Sequence, residues 1–248
     1  MNLLVVGAGT MGRWFAASIA DPDSEFAFAD TDFDVATAAA DALDGRAVSL
    51  DTDDRFDGVC LAVPISTVET AVAEHAPKAE RAIIDVTGDM TAPIEAMGTH
   101  AANRERLSLH PLFAPENAPG RVAVVADATG PVTDTVRERL AERNTLFETT
   151  PEEHARAMRT VQVRAHAAVM AYALAGEAVP EAFETPISGP LDSLAEQVLS
   201  GSPEIYAEIQ DTFEGAKAVA TAAERIAEAD KAEFETLYRE ARDAMDGR

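Results

Sequence analysis

A glycine-rich segment near the start of the chain is the first indication of chemistry. It follows an apolar run over residues 2–6 and reads Gly7-Ala8-Gly9-Thr10-Met11-Gly12. Gly7 permits a tight turn after a strand, Gly9 lets the backbone approach a pyrophosphate, and Gly12 lets the next helix pack closely on the sheet. The free N–H groups at the start of that helix attract an anion. We therefore predict a dinucleotide site at these glycines, with Thr10 and Met11 among the contacting residues.

An acidic residue follows at the expected distance. Asp30 ends the second apolar run, Phe26-Ala27-Phe28-Ala29. Its carboxylate is expected to accept hydrogen bonds from the adenosine ribose and to repel a 2′-phosphate, and no arginine follows it immediately. We therefore predict NAD as the cofactor in preference to NADP. The alternative is that Asp30 only caps a strand in a chain rich in acids.

His110 is the residue best suited to accept a proton. It follows the apolar run that ends at Leu109 and precedes Pro111-Leu112-Phe113-Ala114-Pro115, a loop made rigid by two prolines. A dehydrogenase removes a hydride and a proton from one alcohol carbon, and histidine can take that proton near neutral pH. We predict that His110 is the general base; the alternative is a histidine that only caps a strand.

Two other segments also fall at the carboxyl ends of predicted strands, where ligands bind in open α/β sheets. One is Leu61-Ala62-Val63-Pro64-Ile65-Ser66, in which the proline forces the chain out of the sheet. Val63 and Pro64 are therefore predicted to border the cofactor. The other is Ile84-Asp85-Val86-Thr87-Gly88.

The elements that must position these residues alternate between strand and helix up to residue 150. The predicted strands are 2–6, 26–30, 46–50, 58–63, 82–86, 106–109, 122–126 and 145–148. The predicted helices are 10–20, 33–43, 66–77, 91–101 and 131–143. This alternation predicts parallel strands joined by crossover helices, a doubly wound α/β sheet of the Rossmann type, with residues 1–150 as the NAD-binding domain.

Beyond residue 150 the pattern becomes helical. Thr150-Pro151-Glu152-Glu153 has the form of a capping box, and the predicted helices are 151–176, 190–200, 203–227 and 230–246. We predict that residues 151–248 form an all-helical domain that binds substrate, with the cleft between the domains as its site. A small helical layer exposes an apolar face that needs a cover, so we also predict a homodimer through this domain.

The chain is strongly acidic, with 44 acids against 20 bases and a net charge of −24. Such a surface repels nucleic acids and anionic membranes, so neither is expected as a partner. Acids spread along the chain, with lysine almost absent, resemble proteins from salt-accumulating halophiles. We expect a cytoplasmic protein and no metal site, and the single cysteine, Cys60, is expected to be buried and inert.

Several motifs resemble the prephenate dehydrogenase family, and together they cover essentially the whole chain. They are Met11-Gly12-Arg13-Trp14-Phe15, Leu61-Ala62-Val63-Pro64, Asp85, His110-Pro111-Leu112-Phe113-Ala114-Pro115, Glu153-His154, Met158, Gln162, His166, Tyr172 and Ser202-Pro203 to Ile209. The family oxidises prephenate with NAD(P), releases carbon dioxide and forms 4-hydroxyphenylpyruvate for tyrosine biosynthesis. The resemblance implies this reaction, with prephenate or its aminated analogue arogenate as the small-molecule substrate.

The resemblance also implies roles for individual residues. His110 would take the proton of the substrate's ring hydroxyl, and His166 is similar to a histidine that lies near the substrate. Gln162 precedes His166 by four residues and shares its helix face, and Arg159 lies a turn earlier. These three residues are the predicted substrate-binding set. The alternative for His166 is a histidine satisfied within the helical core.

The chain departs from the family in two places. The family usually has D-x-x-S-x-K after its fifth strand, where this chain has Asp85-Val86-Thr87-Gly88-Asp89-Met90; we predict that Thr87 replaces the serine as a catalytic residue. A family arginine that binds a substrate carboxylate is absent near Ser188-Gly189-Pro190. Arg159 and Arg164 could replace it, but α-helical spacing points them about 140° apart, which predicts that only one faces the substrate.

Two other functions remain open. The first is a dehydrogenase or reductase of another small acid or imine, as in hydroxyacid dehydrogenases or pyrroline carboxylate reductases; these do not account for the loop from His110 to Pro115, and helix 151–176 lacks a catalytic lysine. The second is a non-catalytic NAD-binding regulator. The missing serine and arginine favour the regulator, whereas the presence of His110, Gln162 and His166 opposes it.

Overall fold

The computed structural model describes residues 1–247, except for the side chain of residue 181, and these divide into two compact units. The first unit is Met1–Arg156, and the second begins at Ala157. Each unit has its own architecture. The first contains a sheet with helices, and the second is helical.

The first unit is built on an eight-stranded sheet in the order β3-β2-β1-β4-β5-β6-β7-β8. Its strands are β1 Asn2–Val6, β2 Glu25–Ala29, β3 Arg46–Ala47, β4 Phe56–Leu61, β5 Ala79–Asp85, β6 Glu105–Pro111, β7 Arg121–Ala128 and β8 Thr145–Glu148. Strands β1 to β6 pair in parallel. The predicted doubly wound sheet is therefore confirmed.

The last two strands depart from the parallel arrangement that the alternation implied. Strand β7 runs antiparallel to β6, and β8 runs parallel to β7. The physical reason is the connection: residues 112–120 separate β6 from β7 and contain only a single 3₁₀ turn, Pro115–Asn117. A parallel return would need a crossover of a dozen or more residues.

Helices cover both faces of the sheet. They are α1 Thr10–Ile19, α2 Phe33–Ala42, α3 Val68–His75, α4 Thr91–His100 and α5 Pro131–Ala141. Alternate residues of β1 show how the two cores form, since Leu3 and Val5 pack with α1, α2 and α5, whereas Leu4 and Val6 pack with α3 and α4. Successive side chains of a strand point to opposite faces of the sheet, and in a central parallel strand both faces are buried.

The second unit follows a helix that starts at the predicted position. Its α-helices, preceded by α6 Pro151–Met158, are α7 Ala165–Ala175, α8 Ser188–Leu199, α9 Pro203–Thr212, α10 Ala216–Glu228 and α11 Lys231–Asp246. A π-helical turn, Arg159–Arg164, separates α6 from α7 and will be called the π segment. The predicted continuous α-helix over 151–176 is therefore interrupted.

The predicted helix over 203–227 is also wrong, because it is two helices. Residues 213–215 separate α9 from α10. A Cβ atom at Gly215 would lie 2.8 Å from the carbonyl oxygen of Arg159 and 3.0 Å from Val163. The absence of a side chain at Gly215 therefore lets the start of α10 pack directly on the π segment.

Apolar side chains remain exposed on the helical unit. The largest exposed fractions belong to Leu174, Ile187 and Phe183, at 84%, 75% and 72%. All residues of α7 and α11 are described, and none of them is buried. Within residues 1–247 no helix combines the length and apolar character needed to cross a membrane.

Candidate functional site

The glycine segment lies where the strand order reverses, between β1 and its two neighbours β2 and β4. Gly7 has a φ of +88°, which a side chain would strain, and its N–H donates to the carbonyl of Ala29 at 2.9 Å. A Cβ atom at Gly7 would also overlap the carbonyl of Ala62 at the end of β4. The turn therefore needs glycine for both backbone angle and space.

Gly9 and Gly12 differ in what surrounds them. A Cβ atom at Gly12 would overlap the carbonyl of Gly7 and touch Val5, so Gly12 is required for α1 to pack on the turn. A Cβ atom at Gly9 meets no atom of the described residues within 4 Å. The space beside Gly9 is therefore open, as a bound pyrophosphate requires.

The N-terminus of α1 is suited to an anion. No described side chain caps it, and its first turn, Thr10 onward, contains no acid. By contrast, Asp32 caps α2 and Asp230 caps α11. Thr10 is exposed and Met11 packs partly into the core, so the N–H groups at the start of α1 are free to bind phosphate.

Asp30 lies beside the glycine turn. Its Oδ2 accepts a hydrogen bond from the N–H of Ala8 at 2.8 Å, and its Oδ1 accepts one from the N–H of Asp32 at 3.0 Å. The carboxylate is half-buried; Oδ1 also accepts the hydroxyl of Thr31 at 3.3 Å, so Oδ2 is the oxygen that keeps a further lone pair. Asp30 therefore holds the turn in shape and can still accept a hydrogen bond from a ligand.

Val63 and Pro64 follow β4 on the other side of the turn. Val63 packs partly against the core with α3, while Pro64 is exposed and its carbonyl accepts the N–H of Thr67 at 3.0 Å. The main chain leaves the sheet here, as predicted from the proline. The structure therefore brings all the predicted cofactor-binding residues to one edge of the sheet.

We expect the substitutions Gly9→Ala and Gly12→Ala to separate ligand binding from folding. Gly9→Ala fills only open space, so NAD affinity should fall at least tenfold while stability changes by less than about 1 kcal/mol. Gly12→Ala should instead cost about 1–3 kcal/mol of stability through overpacking. Calorimetric titration with NAD and thermal unfolding of both variants measure this. Equal NAD affinity in Gly9→Ala and wild type would contradict the predicted site.

His110 lies near the end of β6 and is almost fully buried, with 6% of its surface exposed. Burial, together with the nearby imidazole of His154, lowers the pKa of His110 to about 3. Its ring is therefore neutral at neutral pH. The following loop is anchored by Phe113, whose ring packs edge-on against Trp14 with centroids 5.4 Å apart.

His154 is a site residue that the sequence prediction missed. It lies on α6, and its Nε2 is 2.7 Å from the Nδ1 of His110. Burial lowers the pKa of His154 to about 4, although the carboxylate of Asp89 acts in the opposite direction. Glu153-His154 was part of the resemblance, but nothing in the spacing of two histidines 44 residues apart shows that they meet.

The turn after β5 is held by its own side chains. The hydroxyl of Thr87 is 2.7 Å from Oδ2 of Asp85 and 2.8 Å from the carbonyl oxygen of Asp89. The carboxylate of Asp89 accepts the N–H groups of Thr91 and Ala92 at the start of α4. Thr87 is buried, and its hydrogen bonds lie within this turn, so the structure does not pair its hydroxyl with His110.

Asp85 is fully buried beneath this turn. Burial raises its pKa to about 7, although Thr87 and the nearby Ser108 hydroxyl counteract part of the rise. In the unfolded chain an aspartate has a pKa of about 3.9. Between these values the folded protein keeps a proton that the unfolded chain has lost, so Asp85 makes the protein less stable as pH rises through this range.

We expect Asp85→Asn to remove that pH dependence. Asparagine resembles the neutral acid and does not titrate, so at pH 8 the variant should be more stable than wild type by up to about 4 kcal/mol, with little difference at pH 4. Urea unfolding at both pH values measures the effect. Parallel stability curves for the two proteins would show that Asp85 is ionised in the fold.

The predicted substrate-binding residues lie together in the second unit. Gln162 is in the π segment and His166 is in α7; each is partly buried. Oε1 of Gln162 and Nδ1 of His166 lack a hydrogen-bond partner among the described residues. The ring of His166 packs edge-on against Tyr206 at 4.7 Å, and burial lowers its pKa. Both atoms are enclosed within the unit, so each is a buried polar group with no hydrogen-bond partner among the described side chains.

The π segment changes how its two arginines are related. In π-helical geometry the N–H of residue i+5 meets the carbonyl of residue i, so Arg159 and Arg164 lie close to one face. The separation of about 140° expected from α-helical spacing is therefore wrong. Both are exposed, and neither forms an ion pair with a described side chain of residues 1–180 or 182–247, whereas Arg225, Arg239 and Arg242 pair with acids.

The environment of Cys60 is that of an unreactive thiol. Cys60 is buried in β4, and burial raises the pKa of its thiol well above the usual value. Among the side chains described over residues 1–180 and 182–247 there is no group of three histidine, cysteine or acidic residues placed to hold a metal ion.

Part of the first unit is similar to a known protein family. Residues 26–128 match the family model described as prephenate dehydrogenase, nucleotide-binding domain. No curated protein matches the sequence of the chain.

Solved structures match the chain over almost its entire length. Prephenate dehydrogenase from Aquifex aeolicus, in complex with hydroxyphenyl propionate and NAD+, is 18% identical with a TM-score of 0.73; the match covers 100% of this chain and 98% of that one. Arogenate dehydrogenase from Synechocystis is 16% identical with a TM-score of 0.66, and the match covers 100% and 99%. These matches show a shared fold.

A hydroxyacid dehydrogenase matches less well. 3-Hydroxyisobutyrate dehydrogenase from Mycobacterium tuberculosis is 14% identical with a TM-score of 0.55, and the match covers 95% of this chain and 98% of that one. The fold is therefore more similar to the prephenate and arogenate dehydrogenases than to this enzyme.

Proposed function

We propose, on the premise that the chain belongs to the prephenate dehydrogenase family of NAD(P)-dependent oxidoreductases, that it catalyses the NAD-dependent oxidative decarboxylation of prephenate to 4-hydroxyphenylpyruvate in tyrosine biosynthesis. The observation that carries this proposal is the combination, in one unit, of an open glycine turn and a buried neutral histidine at the same sheet edge. The arogenate dehydrogenase among the structural matches makes arogenate the second candidate substrate.

His110 is proposed as the residue that moves the proton. NAD bound at the glycine turn supplies a hydride acceptor. As the hydride leaves the ring carbon, the hydroxyl on that carbon becomes a strong acid, so even a base with a lowered pKa can take its proton. Loss of carbon dioxide then leaves an electron pair that makes the ring aromatic, and the resulting phenolate can recover the proton from His110.

We propose NAD rather than NADP as the cofactor because the acids around Asp30 would repel the 2′-phosphate of NADP. Asp30, Asp32 and Asp34 follow one another at the end of β2 and the start of α2. A 2′-phosphate bound near Asp30 would be repelled by this acidic stretch, and no arginine follows Asp30 immediately in the sequence. The acids therefore support discrimination against NADP by repulsion.

The second unit is proposed to bind the anionic groups of the substrate. Arg159 is exposed and forms no ion pair among the described side chains, so it supplies a cation, and Gln162 and His166 supply hydrogen-bonding groups. A doubly anionic substrate needs cationic partners in a protein of net charge −24. In this proposal Thr87 supports the turn beneath the site, because its hydroxyl is used by Asp85 and Asp89.

Turnover with the candidate substrates tests the proposal directly. The protein is assayed in molar potassium chloride, since its composition suits high salt, with prephenate or arogenate and either NAD or NADP, by the absorbance of reduced nicotinamide. We expect turnover with NAD at least tenfold faster than with NADP. His110→Asn should reduce kcat by about 10²–10⁴-fold and leave NAD binding unchanged.

Two outcomes would contradict different parts of the proposal. NAD binding without turnover of either substrate would favour a non-catalytic NAD-binding regulator. Undiminished turnover in His110→Asn would show that His110 is not the base, without contradicting the proposed reaction.

We also propose that the protein is a homodimer through its helical unit. Helix α7 consists almost entirely of apolar residues, which is typical of a helix buried on all sides, yet none of its described residues is buried within the chain. A second copy of the unit would cover this surface and the exposed side chains of Leu174, Phe183 and Ile187.

Charge placed on this surface should dissociate the dimer. We expect Leu174→Glu to halve the mass measured by light scattering, because a carboxylate would be buried at the interface without a partner. Phe33→Glu, at an exposed apolar residue of α2 in the first unit, is the matched control and should leave the mass unchanged. A monomeric wild-type protein would overturn the proposal.

A further inference from the structure

The contact between His110 and His154 restricts the protonation state of both rings. Nδ1 of His110 and Nε2 of His154 are 2.7 Å apart, and the rings are nearly perpendicular at 72°. Both side chains are buried, with 6% and 2% of their surface exposed. At this distance one nitrogen must carry a proton and the other must accept it.

The direction of this hydrogen bond decides what His110 can do. A neutral imidazole carries one proton, on either Nδ1 or Nε2. If His110 donates from Nδ1, its Nε2 has a free lone pair and can accept a proton. If His154 donates instead, Nε2 of His110 carries the proton, and His110 cannot act as a base.

We propose that His154 is a positioning residue whose Nε2 accepts the Nδ1 proton of His110 and thereby keeps Nε2 of His110 free to take the substrate's proton. The inference rests on the proposed function, in which His110 is the base. It assigns His154 a role through His110 and no contact with substrate.

The surroundings of Nε2 of His110 support this direction. A Cβ atom at Gly88 would lie 3.9 Å from this nitrogen, and Gly88 is partly exposed. The same Cβ atom would lie 3.1 Å from Cδ1 of Ile65, so Gly88 keeps a narrow space open between Ile65 and the one ring nitrogen that does not face His154. A substrate hydroxyl can approach Nε2 from this side, whereas Nδ1 is enclosed by the second imidazole.

An imidazole in this position orients the base without adding charge. A carboxylate paired with His110 would stabilise the imidazolium and raise the pKa of His110. Neutral His154 accepts the same hydrogen bond while burial keeps the pKa of His110 low. An imidazolium with a low pKa gives up its proton readily. This property suits the proposed reaction, because the phenolate formed in the last step takes the proton back from His110.

The charged groups around the pair come from the turn after β5. Asp89 favours the protonated form of His154, and its carboxylate is held by the N–H groups of Thr91 and Ala92. Thr87 joins this turn to buried Asp85. The turn after β5 therefore supplies the negative charge that acts on His154.

Two variants of His154 separate hydrogen-bond acceptance from packing. In His154→Gln the amide oxygen can accept the Nδ1 proton, so kcat should stay within about tenfold of wild type. In His154→Leu no acceptor remains, and kcat should fall by about 10²–10⁴-fold, the range associated with a lost or misoriented base. The KM for NAD should change less than threefold in both. Equal losses in the two variants would overturn the proposal.

A double-mutant cycle tests whether His154 acts through His110. Once His110→Asn has removed the base, adding His154→Leu should cost little more, because residues that act as a unit are not additive. Fully additive losses would mean that His154 acts elsewhere and would contradict the inference.

Nitrogen NMR of the wild-type protein supplies a readout that needs neither turnover nor a folded variant. At neutral pH we expect His110 to carry its proton on Nδ1 and to have a bare Nε2. A proton on Nε2 would overturn the proposed tautomer. If this tautomer is present but neither prephenate nor arogenate is oxidised, the result contradicts the proposed function and still supports the proposed hydrogen bond from His110 to His154.

Discussion

Parallel pairing of β1, β4, β5 and β6 is the constraint on which the site depends. The register of these strands places four residues in one row across the sheet: Val6, Leu61, Asp85 and Ser108. The chain beyond this row leaves every strand at the same edge. The glycine turn, the turn after Asp85 and the His110 loop therefore meet, although they are separated by many residues in sequence.

Burial at this edge determines the chemistry of its polar groups. The low polarity of the sheet interior favours neutral forms, so Asp85 keeps its proton up to a pH of about 7, while His110 and His154 are unprotonated at neutral pH. Hydrogen bonds then decide orientation: Thr87 fixes Asp85, and His154 faces His110. These hydrogen bonds offset part of the free-energy cost of burying polar groups.

Much of the first unit could be predicted from local patterns. The glycine spacing, the apolar runs and the acid at residue 30 are short-range features, and each corresponds to a feature of the folded unit. The reversal of β7 could not be predicted in the same way, because a strand's apolar pattern is the same in both directions. The short connection over residues 112–120 was the available signal.

The sequence by itself determined the turn from the first strand into the glycines, the alternation of strands and helices along the first unit, and the choice of His110 as candidate base. These depend on residue type and on spacing over short stretches of the chain. Only the tertiary structure decided that His154 faces His110, that Thr87 turns toward Asp85 and that the π segment brings Arg159 and Arg164 to one face. These features depend on which distant elements pack together and on local departures from α-helical geometry. Neither is encoded in the spacing of residues along the chain.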